Sequence, residues 1–268
     1  MNHKSHFQYA LLMCICFLFF AHADIVIVPS EGITSITEAM SVAKRGDTVL
    51  VKDGIYREEV QVNPGVILRA ENQFKAVING RGRGNVVTLS TGSVIIGFEI
   101  KNGTIGVFSS SSQAAILRNL IVNNQQSGIL SVGHLPKIED NVIAYNSGSG
   151  IQGWDVRTTS AVISHNTIAF NKNHGISLGG NSDISVEYNI IALNDQFGIR
   201  ASDETVRIDL IGNNFFNNTK FTGTLPGDNV SHDPMFVDAQ RMNFNLMSES
   251  KSIGLGKNHQ NLGARLVN

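Results

Sequence analysis

The sequence predicts an all-β fold: a single-stranded right-handed parallel β-helix, or solenoid, with a short capping helix near its N-terminus. Three observations predict it. A unit of 22 to 25 residues recurs, its apolar positions keep fixed offsets, and no helical periodicity runs through it. The unit reads Asn-x-apolar-x-x-Asn-x-x-x-Gly-apolar and begins at Asn119, Asn141, Asn166 and Asn189. Such a unit cannot bury its own apolar face, so about nine stacked coils are expected.

The N-terminal residues 1–23 are expected to be a signal peptide. A basic residue precedes an apolar stretch from Ala10 to Phe20, and Ala21-His22-Ala23 fits a signal peptidase site. Both cysteines, Cys14 and Cys16, lie inside this leader, so the exported chain would have no thiol or disulfide chemistry. We therefore expect an exported protein, periplasmic or extracellular, with no membrane span once the leader is removed.

Residues 24–95 are expected to form the N-terminal cap and the first coils. The segment Ile25–Val28 has the composition of a strand. Ser35 and Glu38 have the spacing of a capping box, which opens a short amphipathic helix before Gly46. That helix would cover the open end of the stack, where bare strand edges invite aggregation.

Residues 96–218 carry the patterned coils, beginning with Gly97 as the first leading position, and residues 219–268 should form a C-terminal coil and cap around the far end. The apolar columns three and five positions before each leading asparagine, and two after it, should point into the core. Stacked asparagines should bond to their equivalents in neighbouring coils. The repeat glycine, nine residues after the leading asparagine, should adopt a positive φ at a corner.

Charge and histidine spacing exclude several classes of partner. Loss of Lys4 with the leader leaves 20 basic against 22 acidic side chains, so nucleic acid is not expected as a partner. The five histidines after residue 23 lack metal-ligand spacing, so no metal or other cofactor is expected. We expect a monomer. Calcium near Glu139, Asp140 and Glu187 stays an open alternative.

The segment Gly46-Asp47-Thr48-Val49-Leu50-Val51-Lys52-Asp53-Gly54-Ile55-Tyr56, followed by the asparagine coils, resembles secreted bacterial right-handed parallel β-helix repeat proteins. These belong to the pectate-lyase-like superfamily, in its branch of periplasmic carbohydrate-binding and sugar-hydrolase repeats. The resemblance covers nearly all of the mature chain and implies the fold. It leaves activity open, because the superfamily holds lyases, hydrolases, epimerases and adhesins. Whether this chain is an enzyme therefore stays open as well.

A first candidate site lies just before the leading asparagines. This column contains Arg118, Asp140, His165 and Tyr188, flanked by Glu139 and Glu187. In the functional interpretation His165 or Tyr188 transfers a proton while a carboxylate orients it. In the alternative interpretation the column is an exposed ladder of alternating charges with little effect on stability.

A second candidate site follows the repeat glycine, where the longer coils place extra residues at 153–159. The predicted substrate-binding residues are Gln152, Trp154, Asp155, Arg157, Arg200 and Asp203. The only tryptophan of the chain would stack on a sugar ring, and Arg200 would pair with a uronate carboxylate. The catalytic candidates are His174, Arg200 and His165. His174 and Arg200 should lie roughly 11 Å apart and flank a substrate.

Two functional hypotheses follow from this arrangement. In the first, the chain binds polysaccharide on an outer groove and, in an enzymatic version, processes it by lyase or hydrolase chemistry. In the second, it is a non-catalytic structural or adhesion module of the cell envelope. An exposed Trp154 beside Arg200 favours the first hypothesis, whereas a buried Trp154 on a flat face favours the second.

Overall fold

The computed structural model describes residues 23–219 and 225–266, which form a right-handed parallel β-solenoid. The solenoid has about eight turns, against the nine expected. Apart from Ala23, the predicted signal peptide lies outside the described residues. Within the described ranges, no helix combines the length and apolar character needed to span a membrane.

The first face of the solenoid is a nine-stranded parallel sheet. Its strands, in stacking order, are β1 (Ile25–Val28), β2 (Thr48–Val51), β5 (Ile67–Ala70), β7 (Val94–Ile96), β9 (Ala115–Leu117), β12 (Lys137–Glu139), β15 (Thr159–Ser164), β18 (Ser182–Glu187) and β21 (Val206–Ile211).

The second and third faces share one thirteen-stranded sheet, because two long strands, β6 (Ala76–Leu89) and β8 (Glu99–Ser109), run through both. The second face is completed by β3 (Gly54–Tyr56), β10 (Leu120–Val122), β13 (Val142–Ala144), β16 (Thr167–Ala169), β19 (Ile190–Ala192) and β22 (Asn214–Phe216). The third face is completed by β4 (Val60–Val62), β11 (Ile129–Val132), β14 (Ile151–Val156), β17 (Ile176–Gly180) and β20 (Ile199–Ala201).

The helix α1 (Ile36–Val42) covers the N-terminal end of the core, as predicted. The Ser35 side chain accepts a hydrogen bond from the Glu38 amide, and the Glu38 carboxylate accepts one from the Ser35 amide, which completes the capping box. Glu58 accepts from two further amides of the first turn, so the exposed donors of the helix start are satisfied.

The apolar columns of the repeat point inward as predicted. The column two residues after each leading asparagine is buried in every coil, at Ile121, Ile143, Ile168, Ile191 and Phe215. The column three residues before it is buried from Ile116 to Val186 and half-buried at Leu210, in the last coil. One continuous core therefore runs the length of the stack.

Two asparagine ladders run through the buried corners and confirm the stacking prediction. The first joins Asn119, Asn141, Asn166, Asn189, Asn213 and Asn229, and the second joins Asn124, Asn146, Asn171, Asn194 and Asn218. At each step the side-chain amide of one asparagine donates to Oδ1 of the next at 2.9 to 3.1 Å. The same Oδ1 also accepts a hydrogen bond from the backbone N–H of the donating asparagine, so the backbone at the corner is satisfied.

The prediction that the repeat glycine has a positive φ is wrong. The left-handed residues are those just before the ladder asparagines, such as Asp140 (φ 60°) and Tyr145 (φ 56°). The glycine is required for space instead. A Cβ on Gly128 would lie 2.6 Å from Ile143 Cγ2 and 2.9 Å from the carbonyl oxygen of Gly150. This position therefore requires glycine because successive coils approach closely, and not because of its backbone conformation.

The placement of Gly97 as a leading position is also wrong. The Phe98 amide donates to Asn119 Oδ1, so Phe98 occupies the asparagine column one coil earlier. Gly97 lies in the left-handed position before it, with a φ of 85°. The coil that begins at Phe98 is one residue shorter than the next, so the repeat pattern aligned on the later coils places its leading position one residue too early.

The C-terminal residues do more than wrap the far end. Strands β23 (Phe236–Asp238) and β24 (Asn243–Leu246) form an antiparallel hairpin. One 3-10 turn, Ala239–Arg241, lies between them, and a second, Lys257–His259, follows the hairpin. The chain then returns along the corner between the first and second faces. There the Gly263 amide donates to the Tyr188 carbonyl and the Ala264 amide to Thr167 Oγ1. This returning segment, residues 260–266, covers the first candidate column.

Candidate functional site

The second candidate site forms one patch on the third face, which we call the third-face patch: Gln152, Trp154, His174, Ser177, Arg200 and Asp203. Strand register sets its geometry. Gln152 pairs with Ser177 and Ser177 pairs with Arg200, so these three side chains form one column across β14, β17 and β20. Gln152 Nε2 lies 3.5 Å from Ser177 Oγ, which links the first two members of the column.

Trp154 is exposed on this patch, with 55% of its surface open to solvent. Its strand alternates, so Ile151 and Gly153 face the core while Gln152 and Trp154 face out. Trp154 is in register with Val132 of the preceding coil, itself an exposed apolar residue. A bulge follows, because three steps from Gly153 to Val156 match only two on β17. The extra residues predicted at 153–159 therefore appear as strand bulges.

Two glycines, Gly179 and Gly180, follow Leu178 in the coil after that of Trp154. A Cβ on Gly179 would lie 2.5 Å from Ser202 Oγ and 2.9 Å from Asp203 Oδ2, so the hydroxyl and the carboxylate fill the space that the glycine leaves. The Gly180 amide donates to Asp203 Oδ2 at 2.6 Å, which fixes the carboxylate in place. An aromatic wall beside polar groups is the arrangement that suits a sugar ring.

His174 and Arg200 are in contact, so the prediction that they lie roughly 11 Å apart is wrong. Arg200 Nη1 is 3.4 Å from His174 Nε2. The estimate from backbone spacing omitted the length of the arginine side chain, which reaches back along its coil. His174 Nδ1 accepts the Phe197 amide at 3.2 Å, so the proton of the neutral ring lies on Nε2. Two donor groups therefore converge at this point, an arrangement that suits an acceptor oxygen.

Asp155 and Arg157 contact each other rather than the rest of the patch. Arg157 Nε and Nη2 donate to the two Asp155 carboxylate oxygens at 3.2 and 2.8 Å. Both side chains are exposed at the corner beyond Trp154. Their charges cancel locally, whereas Arg200, a member of the column, is in no ion pair with any residue that the structure describes.

Two members of the first candidate column are buried, so its interpretation as an exposed charge ladder is wrong for them, whereas Arg118 is exposed. Asp140 is 2% exposed and His165 is 6% exposed. The cause is the returning segment: Arg265 Nε donates to Asp140 Oδ1 at 2.6 Å, and Arg265 Nη2 contacts both Asp140 and Glu139. Sequence reasoning missed Arg265, which lies 125 residues from Asp140 and belongs to no repeat.

The electrostatics of this corner follow from burial and from Arg265. Burial and then the charge of Arg265 lower the pKa of His165, against the opposing effect of Asp140, Glu139 and Glu187. Burial by itself would raise the pKa of Glu139. The hydrogen bond and charge of Lys137, with the charge of Arg265, outweigh burial and hold that pKa below its usual value. Neither ring nitrogen of His165 has a hydrogen-bond partner among the described residues.

A cavity of about 640 Å³ lies between the hairpin and the returning segment, lined in part by Phe244, Asn261 and Arg265. It does not reach the third-face patch, and its arginine is committed to Asp140 and Glu139. The structure therefore separates the two predicted sites: one is exposed and the other is covered.

Comparison with known proteins gives one family match. A family model described as periplasmic copper-binding protein (NosD) matches residues 40–230. No curated protein matches the chain. Among solved structures, a pectin methylesterase in complex with a hexasaccharide is 14% identical, with a TM-score of 0.42, and covers 75% of this chain and 72% of its own. A pectin methylesterase from carrot is 13% identical, with a TM-score of 0.41, and covers 82% and 97%.

Proposed function

This chain belongs to the family of periplasmic copper-binding proteins (NosD), and on that premise we propose that it is an exported protein that binds polysaccharide along the third-face patch. The observation that carries the proposal is an exposed Trp154 on the same face as the column of Gln152, Ser177 and Arg200. An aromatic face held open to water on a rigid strand is typical of a site that stacks on a sugar ring.

Copper, which the family description names, does not fit the described residues. Within residues 23–219 and 225–266, no three His, Cys, Asp or Glu side chains lie close enough together to hold a metal ion. The two buried imidazoles are placed for other contacts, with His174 Nδ1 on the Phe197 amide and His165 next to Arg265. Copper favours imidazole and sulfur ligands, and both cysteines lie outside the described residues. No step of the proposal involves copper.

Binding is favoured over proton abstraction at this patch. A histidine that acts as the base of a lyase must present an unprotonated nitrogen to the substrate. His174 Nδ1 is occupied by the Phe197 amide, which leaves the protonated Nε2 facing Arg200. His165, the other candidate base, lies beneath the returning segment. The proposed roles are therefore stacking for Trp154, hydrogen bonding for Gln152 and Asp203, and carboxylate or hydroxyl recognition for Arg200.

Tryptophan fluorescence tests the proposal directly, because Trp154 is the only tryptophan in the chain. Titration with polygalacturonate should give a saturable change in emission. Trp154→Ala removes the fluorescence signal, so the affinity of this variant is measured by calorimetry and should be lower than that of the wild type. Arg200→Ala should weaken binding in both fluorescence and calorimetry. We expect at least a tenfold weakening for each, which corresponds to about 1.4 kcal/mol.

Arg207→Ala is the matched control, because Arg207 is an exposed arginine on the first face, 3.8 Å from Asp183. It should bind like the wild type. Equal affinity of all three variants would refute the site assignment. The absence of any binding by the wild type would favour a structural or adhesion module instead. Formation of an unsaturated product with ultraviolet absorbance would contradict the assignment as a binding protein without lyase activity.

A further inference from the structure

A second basic site lies at the other end of the third face. Arg57, Arg81 and Arg83 line a cavity of about 210 Å³ together with Glu58, Glu59 and Asn79. All three arginines are exposed, and none is in an ion pair with any residue that the structure describes. We name this group the arginine pocket.

The local backbone forms the pocket by interrupting β6. Gly80 to Gly84 form the corner between the second-face and third-face parts of this strand, where the register with β8 shifts. The Arg81 amide donates to Asn79 Oδ1 at 3.0 Å, and Arg81 has a φ of 54°. Arg57 follows β3, which pairs with the start of β6, so all three guanidinium groups reach the same corner.

The two carboxylates of the pocket offset only two of its three positive charges, and only Glu59 has oxygens free of the helix. Glu58 is committed to α1, because its oxygens accept from the Ile36 and Thr37 amides and from Thr37 Oγ1. Glu59 is exposed and lies against Gly84, where a Cβ would be 3.0 Å from its carboxyl carbon. The pocket therefore keeps an excess of positive charge, and planar guanidinium groups suit carboxylate or sulfate.

The pocket and the third-face patch are joined by one continuous stripe, a column that starts at Thr88, five residues after Arg83 on β6. Strand register aligns Thr88, Phe108, Leu130, Gln152, Ser177 and Arg200 in a single column. This column contains no carboxylate, and Phe108 and Leu130 are half-buried apolar residues on which a sugar ring can rest. Five coil steps separate the coil of Arg83 from that of Arg200, a span of roughly 24 Å.

We propose that the arginine pocket binds an anionic group of a polymer whose chain continues along this column to Trp154 and Arg200. The inference rests on the proposed function and narrows the ligand to an acidic polysaccharide, such as a uronate or sulfated polymer. The pocket provides charge recognition at one end, and Trp154 provides stacking at the other. A polymer long enough to span both binds more tightly than a fragment that reaches only one, because the second contact is intramolecular.

Nuclear magnetic resonance tests the pocket without the polymer. Addition of sodium galacturonate, at ionic strength held constant with chloride, should give saturable shifts of the Gly82 and Gly84 amides. The Arg57→Ala/Arg83→Ala double variant should lose them; neither residue has a left-handed φ, so alanine introduces no backbone strain. Glu59→Gln should tighten binding several-fold because it removes the opposing charge. Shifts that are absent, or that persist in the double variant, overturn the pocket.

Binding to polymers of different length tests the continuous stripe. By Trp154 fluorescence, the double variant should bind polygalacturonate at least tenfold more weakly than the wild type and bind digalacturonate equally well, because a dimer at the third-face patch is too short to reach the pocket. Equal loss for both lengths overturns the bridging arrangement. Polymer binding without shifts at Gly82 and Gly84 supports the third-face patch and overturns the pocket. Shifts without a Trp154 fluorescence change support the pocket and refute the proposed function.

Discussion

Replacement of Asn141 by alanine should remove a large part of the stability of the solenoid. The side chain is fully buried, and its amide donates to the carbonyl oxygens of Ile116 and Glu139 and to Asn166 Oδ1 at 2.8 to 3.0 Å. Its Oδ1 accepts the Asn119 backbone amide at 2.9 Å. Alanine leaves that amide and several acceptors without these partners in a site that excludes water.

The expected cost follows from these lost partners. Each buried polar group left unsatisfied costs about 1–3 kcal/mol, so three such groups amount to about 3–9 kcal/mol. Because net stabilities of domains are about 5–15 kcal/mol, the variant should lose about a fifth or more of its free energy of unfolding. Asn141 has no left-handed φ, so the substitution itself adds no backbone strain.

Equilibrium unfolding in urea, followed by circular dichroism, measures this loss. Asn72→Ala is the control, since Asn72 is exposed and its amide donates only to the Asp53 carboxylate. The control should change the free energy of unfolding by less than about 0.5 kcal/mol. A loss below about 1 kcal/mol for Asn141→Ala would refute the reasoning, because the ladder would then contribute no more than an exposed hydrogen bond.

Three further predictions concern the buried corner and the glycine column. Arg265→Ala should destabilise the fold by about 2 kcal/mol because the Asp140 carboxylate loses its charged donor, and a double-mutant cycle with Asp140→Asn should show that coupling. His165→Asn should flatten the rise in stability that accompanies an increase in pH towards 6.5, the ordinary pKa of histidine. The pKa of His165 is lowered in the folded state, so on acidification the unfolded chain takes up the proton first. The free energy of unfolding then falls by at most about 1.4 kcal/mol per pH unit. Gly128→Ala should lower the melting temperature, at a cost of about 2 kcal/mol, since its Cβ would meet Ile143 Cγ2 at 2.6 Å.

Features that repeat at a fixed period could be predicted from the sequence. The inward columns, both asparagine ladders and the capping box at Ser35 and Glu38 all depend on short offsets that recur or have known geometry. In a solenoid, residues one repeat apart in the sequence are in contact, so the repeat pattern predicts which residues are neighbours. The exposed position of Trp154 follows from the same alternation along a strand.

Contacts that break the period could not be predicted in this way. Arg265 pairs with Asp140 across 125 positions, and no motif around Arg265 marks it. Asn229 extends the first ladder after only 16 residues from Asn213, so a search for a spacing of 22 to 25 misses it. The contact between Arg200 and His174 depends on the reach of a flexible side chain rather than on backbone spacing.

The returning segment changes how the stack comes apart. In an ordinary solenoid each coil touches only its neighbours, so terminal coils fray one at a time and cost little to open. Here the Arg265 side chain donates a hydrogen bond to the Asp140 carboxylate, several coils inside the stack. The Gly263 amide donates to the Tyr188 carbonyl oxygen. Detachment of the returning segment must therefore break a charge contact in the middle of the molecule. Amide hydrogen exchange in the last coils should consequently slow towards the rate of the centre.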